Sequence, residues 1–159
     1  MKKIFTLLAL TISFIINAQM SDNSTGTSAN GSRSVAMGSY TTASGDYSTA
    51  MGQDSTASGI TSTAMGAGTN ATGQRSTSMG NYTTASGSMS VAMGYKALAA
   101  GDRSVAMGTD TRASDLNSLV IGQYNSSGYS VTSADSFSTS APAFVIGNGT
   151  TSNARSDAF

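Results

Sequence analysis

The side chains able to do chemistry are few, and their spacing argues against most kinds of it. The eight acids are all aspartates, and there is no His, Cys or Glu. A nucleophile and its base would have to come from Ser, Lys and Asp, and no such group recurs in a recognisable context, so no enzyme is expected. Calcium-binding rolls stack an aspartate in a fixed column of every repeat. Here Asp46 and Asp102 share a column interrupted by Ile60, Gln74 and Ser88, while Asp54 and Asp110 share one interrupted by Gly68, Tyr82 and Lys96. No ligand ladder results, and neither a metal nor a cofactor is expected. Ice-binding solenoids need two threonine columns two residues apart on a flat face. Thr41, Thr69, Thr83 and Thr111 supply one, and the alanines two positions on leave the second missing. Tyr40, Tyr82 and Tyr124 also share a column and are read as scattered surface tyrosines.

These columns exist because the chain repeats. Met-Gly recurs at Met37-Gly38, Met51-Gly52, Met65-Gly66, Met79-Gly80, Met93-Gly94 and Met107-Gly108, then as Ile121-Gly122, with a constant period of fourteen. Gly31, Gly45, Gly59, Gly73, Gly87 and Gly101 run in phase with it, with Asp115 at the seventh step, and so do Ala43, Ala57, Ala71, Ala85, Ala99 and Ala113. Three columns in one phase define a repeat array over residues 31–128.

Each unit folds on paper. Ser34-Val35-Ala36-Met37 is β-favouring and bounded by glycine, and Thr41-Thr42-Ala43-Ser44 offers a second strand. Two glycines per unit weigh against helix, by about 1 kcal/mol each. At about 3.3 Å per residue, one unit holds two strands of about five residues with tight turns between them. The fold class is therefore all-β: a parallel β-roll or solenoid of two-stranded coils, each strand pairing with its copy one unit later. Seven coils at about 4.8 Å make a rod of about 34 Å.

Alternation along the first strand sorts its side chains. Ser34, Ala36 and Gly38 share a small face that is expected to point into the coil. Val35, Met37, Met51, Met65, Met79, Val91, Met93, Val105, Met107, Leu119 and Ile121 then form an outward apolar stripe, which implies a second protein surface against it. The turn glycines are expected at Gly38, Gly45, Gly52, Gly59, Gly66, Gly73, Gly80, Gly87, Gly94, Gly101, Gly108 and Gly122.

Either side of the array the composition changes. Residues 1–18 read as a secretory signal, with Lys2 and Lys3 ahead of the apolar run Ile4 to Ile16 and cleavage after Ala18; the rival reading is an uncleaved anchor. Without them the exported chain carries six bases against eight acids. That balance gives no reason to expect nucleic acid, and no membrane insertion by the mature fragment is expected. Residues 19–30 form a polar lead-in or half-coil. Past residue 128 the phase slips: Phe144-Val145-Ile146-Gly147 repeats the strand pattern, but Ile146 arrives three positions short of two full periods after Ile121. Residues 129–159 are expected to form a divergent coil or cap with a larger core, drawing on Leu116, Leu119, Val120, Ile121, Phe137, Phe144, Val145 and Ile146. The chain is also read as a fragment that continues into a longer fibre.

Ser-Val-Ala-Met-Gly, followed by Ala-Ser and a glycine-led turn in every unit, resembles the head repeat of the trimeric autotransporter adhesins, the YadA-like head, in which Ile typically stands at the Met position. The resemblance covers residues 31–128. It implies a left-handed roll, a homotrimer as the principal partnership, and exposure at the cell surface or outer membrane. It further implies a role in attachment to host cells, extracellular matrix or other bacteria. Departures from the family are the missing heptad stalk and membrane anchor. A non-adhesive fibre or tail-fibre-like shaft is the alternative.

Overall fold

The computed structural model describes residues 20–21, 25–126 and 142–158. The expected signal and Phe137 lie outside them. Each coil contributes one longer and one shorter strand, and the two kinds form separate parallel sheets. The larger sheet has nine strands: β1 (Met20–Ser21), β3 (Val35–Ser39), β5 (Thr49–Gln53), β7 (Thr63–Ala67), β9 (Thr77–Asn81), β11 (Val91–Tyr95), β13 (Val105–Thr109), β15 (Leu119–Gln123) and β16 (Phe144–Asn148). The smaller has seven: β2 (Ser28–Ala29), β4 (Thr42–Ala43), β6 (Thr56–Ala57), β8 (Asn70–Ala71), β10 (Thr84–Ala85), β12 (Leu98–Ala99) and β14 (Arg112–Ala113). From β3 to β15 each long strand pairs with its copy one period on, Val35 with Thr49 and Met37 with Met51. The lead-in is part of this stack, since Met20 pairs with Val35 and Ser28 with Thr42.

The second strand is shorter than the sequence reading expects, two residues rather than about five. Its extended backbone begins after a left-handed residue, Tyr40 at φ 55°. It ends where the N–H groups of Ser44 and Gly45 converge on one carbonyl, that of Ala57.

The interior is filled by four columns of small side chains. The long strands supply Ser34, Ser48, Ser62, Ser76, Ser90 and Ser104, together with Ala36, Ala50, Ala64, Ser78, Ala92 and Ala106. The short side supplies Thr41, Ser55, Thr69, Thr83, Ala97 and Thr111, and the alanine column from Ala43 to Ala113. All are buried. The threonines at 41, 69, 83 and 111 therefore line the core rather than an outer face. Thr42, Thr56 and Thr84, with exposed Ser44, Ser58 and Ser86 two residues on, stand on the outside instead. Thr41 faces inward because the left-handed residue before it resets the alternation that runs along the first strand. The outer columns are mixed, with Asn70, Leu98 and Arg112 among the threonines, so no double threonine ladder stands on this face.

Gly38 is a second correction. It does not point into the coil with Ser34 and Ala36; it is half-buried, and Gly52, Gly80 and Gly94 are exposed. At these Met-Gly glycines φ lies well beyond the left-handed helical well, at 117° in Gly38 and 135° in Gly66. Side chains other than hydrogen are effectively excluded from that region. The column from Gly31 to Gly87 has ordinary φ and another constraint. A Cβ on Gly59 would sit 2.0 Å from the carbonyl oxygen of Gly73 in the next coil. Asp115 can replace glycine at the seventh step because the regular phase ends there: β15 pairs with β16 across a longer step, Leu119 with Phe144.

Two further positions carry positive φ, the columns beginning at Arg33 and Tyr40; all but Gly68 in them are non-glycine residues, with φ between 43° and 58°. This is the αL well, which costs an ordinary residue about 1–2 kcal/mol. The return is a hydrogen bond in the opposite direction. Strand N–H groups point to the following coil, as Val35 donates to Ser48 O at 2.9 Å. The left-handed residues donate to the preceding one, as Tyr47 does to Ser32 O and Tyr82 to Ala67 O, each at 2.8 Å.

The C-terminal end has the larger core expected of it, with Leu116, Val120 and Val145 buried. Leu119 and Phe144 point outward instead, 37 % and 46 % exposed, continuing the outer columns of the long strands.

Two pairs of substitutions test this account. Gly59→Ala should lose more than about 2 kcal/mol in urea unfolding, whereas Ser58→Ala, on the exposed neighbour, should stay within about 0.5 kcal/mol of wild type. The buried serines differ among themselves. Ser90 Oγ donates to Gly87 O at 2.7 Å, while the Ser62 hydroxyl is buried without a partner. Ser90→Ala should therefore lower stability by about 1 kcal/mol and Ser62→Ala should leave it level or raise it.

Candidate functional site

With the core so thin, the large side chains of the regular coils stand outside, and their placement defines the surfaces available for function. On the nine-stranded sheet the outward positions form two adjacent columns. One holds Val35, Thr49, Thr63, Thr77, Val91, Val105 and Leu119; the other holds Met37, Met51, Met65, Met79, Met93, Met107 and Ile121, each in one-to-one register with the next. Phe144 and Ile146 of β16 extend both columns by a rung. The sequence reading had the 144–147 pattern but left these two out of the stripe, because the longer final step breaks the period.

Stacking half-buries most of these residues against their neighbours above and below. Met37, Met107 and Leu119 remain 36 %, 40 % and 37 % exposed. Nothing ionisable interrupts either column. A continuous apolar strip without charge is what the core of a protein–protein interface looks like. The small interior has no room to take it in.

The left-handed columns form the flanks, and the sequence reading missed them because nothing about Arg, Tyr, Asp or Lys announces positive φ. They carry the bulky polar residues. Tyr40, Tyr47 and Tyr82 are more than half exposed, and Tyr124 is half-buried. The Tyr40 ring lies against Gly26 and that of Tyr82 against Gly68, each over the preceding coil, where a glycine leaves space for it. Arg33 hydrogen-bonds the Tyr47 hydroxyl and lies 5.2 Å from the ring centre, and Lys96 lies 5.2 Å from the ring of Tyr95. The two column-mates Asp46 and Asp102 are occupied by the backbone. Their carboxylates accept from the N–H groups of Ser32 and Ser88, 2.8 Å in each case, one coil above.

The architecture of short stacked coils in constant register can be compared with known proteins at this point. The family model described as YadA head domain repeat (2 copies) matches residues 29–55, 57–83, 85–111 and 99–125. The chain belongs to the YadA head family. The matched span runs from Ala29, at the end of β2, to Asn125, just past β15, and leaves β1 and the final rung β16 outside. No curated protein matches the chain. Within this YadA head, Met stands before the glycine in six successive coils and lines an outer strip of the long sheet. Among the described residues no helix is long and apolar enough to cross a membrane.

Proposed function

We propose that the chain is the head of a trimeric adhesin exposed at the cell surface, a non-catalytic module in which the methionine strip joins three copies and the flanks and hydroxyl wall face outward to host, matrix or bacterial partners. The observation that carries this reading is the YadA head match over residues 29–125, on a rod whose continuous apolar columns lie along one outer face. Burying a methionine is worth about 1.5–3 kcal/mol. Repeated over the coils, that term makes an isolated rod a poor competitor with an assembled one. Methionine also suits a shared axis, since its unbranched chain fills irregular gaps. The exposed flanks carry Tyr and Arg, the residue types enriched where protein surfaces recognise one another.

Met79→Asp should break the assembly at neutral pH by setting carboxylates beside one another on a dry axis. Thr84→Asp, on the outer face of the short sheet, should leave it intact. Sedimentation of the two variants and wild type decides the matter, and a monomeric wild type or an assembled Met79→Asp chain would refute the interface. For the adhesive role, the assembled chain should bind extracellular-matrix proteins or cell surfaces above a β-solenoid of unrelated sequence. Absence of binding across that panel would leave the module as a shaft.

A further inference from the structure

A stack of identical parallel coils has two open ends, and each end matches the other. The lower edge of one rod has the same N–H and C=O pattern that every coil offers the next, so the N-terminal coil of a second copy fits beneath it. Such a contact is head-to-tail and never closes, which is the geometry of a fibre.

At the C-terminal end of this chain that edge is covered on both sheets. On the short sheet, Leu98 N–H donates to the main-chain oxygen of Thr111 in the coil below. One coil later Arg112 N–H turns to a side chain, Asn125 Oδ1, at 2.7 Å, and Asn125 Nδ2 donates back to Arg112 O at 3.1 Å. A single amide thus stands in for the two peptide groups of the next rung. On the long sheet, the chain doubles back beneath β16. Asn148 N–H donates to Ser156 O and Ala158 N–H to Ile146 O, in an antiparallel bridge that pairs Gly147 with Asp157. A parallel strand cannot add where an antiparallel one already lies.

The return segment is fastened to the coils above it. Arg155 forms an ion pair with Asp110 at 2.8 Å, the two side chains 10 % and 13 % exposed, and also donates to the main-chain oxygens of Asp110 and Asn125. Ser156 N–H bonds Tyr124 O, and the Asp157 carboxylate accepts from Ser126 N–H at 2.8 Å.

We propose that residues 149–158, with Asn125, are a guard over the terminal sheet edges, and that the edge they cover accepts the N-terminal coil of a second copy of this chain. The guard keeps assembly to the sideways association of the methionine strip by forbidding growth along the rod. It stands independently of that strip, because the edges run across the rod axis and the strip runs along it.

The test uses the full chain with the guard loosened in two ways. Asp110→Asn with Arg155→Met removes the ion pair and leaves only Arg112, whose half-exposed side chain also approaches Asp110 at 3.7 Å, to solvent. Ser156→Pro with Ala158→Pro removes the N–H groups that the return segment donates to Tyr124 O and Ile146 O, so release there does not depend on the ion pair. Both variants should grow with concentration in sedimentation, gaining mass at least two-fold over a range where wild type stays constant, and electron micrographs should show lengthened rods of unchanged width. Added wild type should shorten them, since it can join by its N-terminal coil and then blocks the next addition. Constant mass in the proline variant would overturn the proposal. So would growth into irregular aggregates that wild type does not limit.

Discussion

The structure depends on how closely one turn of backbone lies on the next. At both glycine columns a carbonyl oxygen of the following coil occupies the place a Cβ would take, 1.8 Å from it at Gly38 and 2.0 Å at Gly31. That contact fixes the rung spacing, brings strand N–H groups to 2.8–2.9 Å from their acceptors in the next coil, and leaves an interior only wide enough for Ser, Ala and Thr. The consequences follow in sequence. Along the regular coils a narrow interior has no room for Met or Val, so these go outside and line up as a strip; only at the C-terminal end do Val120 and Val145 turn inward.

Much of this was legible in the sequence because the repeat carries it. A short unit with two glycines admits few folds, the alternation in Ser34-Val35-Ala36-Met37 assigns inside and outside, and the strand pattern at 144–147 reveals the slipped final rung. What escaped has a common cause: turn conformations that residue type does not encode. Arg33, Tyr40 and their column-mates adopt positive φ for the sake of hydrogen bonds to the preceding coil, a benefit visible only once the coils are stacked. Missing those turns moved Thr41 from core to surface and stretched the second strand beyond its two residues. The cap was hidden for a related reason. Asn125 occupies a position of the buried threonine column, but its amide bonds the backbone of the coil above, and nothing in the residue itself marks that use.

The two glycine columns show how a single residue type answers different demands. Gly38 and its successors need a backbone angle that no other residue adopts readily, whereas Gly31 and its successors need only the absence of a side chain. Asp115 ends the second column and Gly122 continues the first into the final pair of long strands, where its Cβ position is still 2.3 Å from Gly147 O. The strand geometry thus outlasts the turn geometry by one rung. The phase slip enters through the turn.

Each coil meets its neighbours through the same backbone contact, so removing or duplicating one whole unit between β3 and β13 leaves a backbone junction of a kind already present. Side chains add fits particular to a place, such as Tyr82 over Gly68, and the final rung has fastenings of its own. The rod therefore behaves as a ruler whose length is written in copy number, changing in steps of about 4.8 Å with no accompanying change in fold.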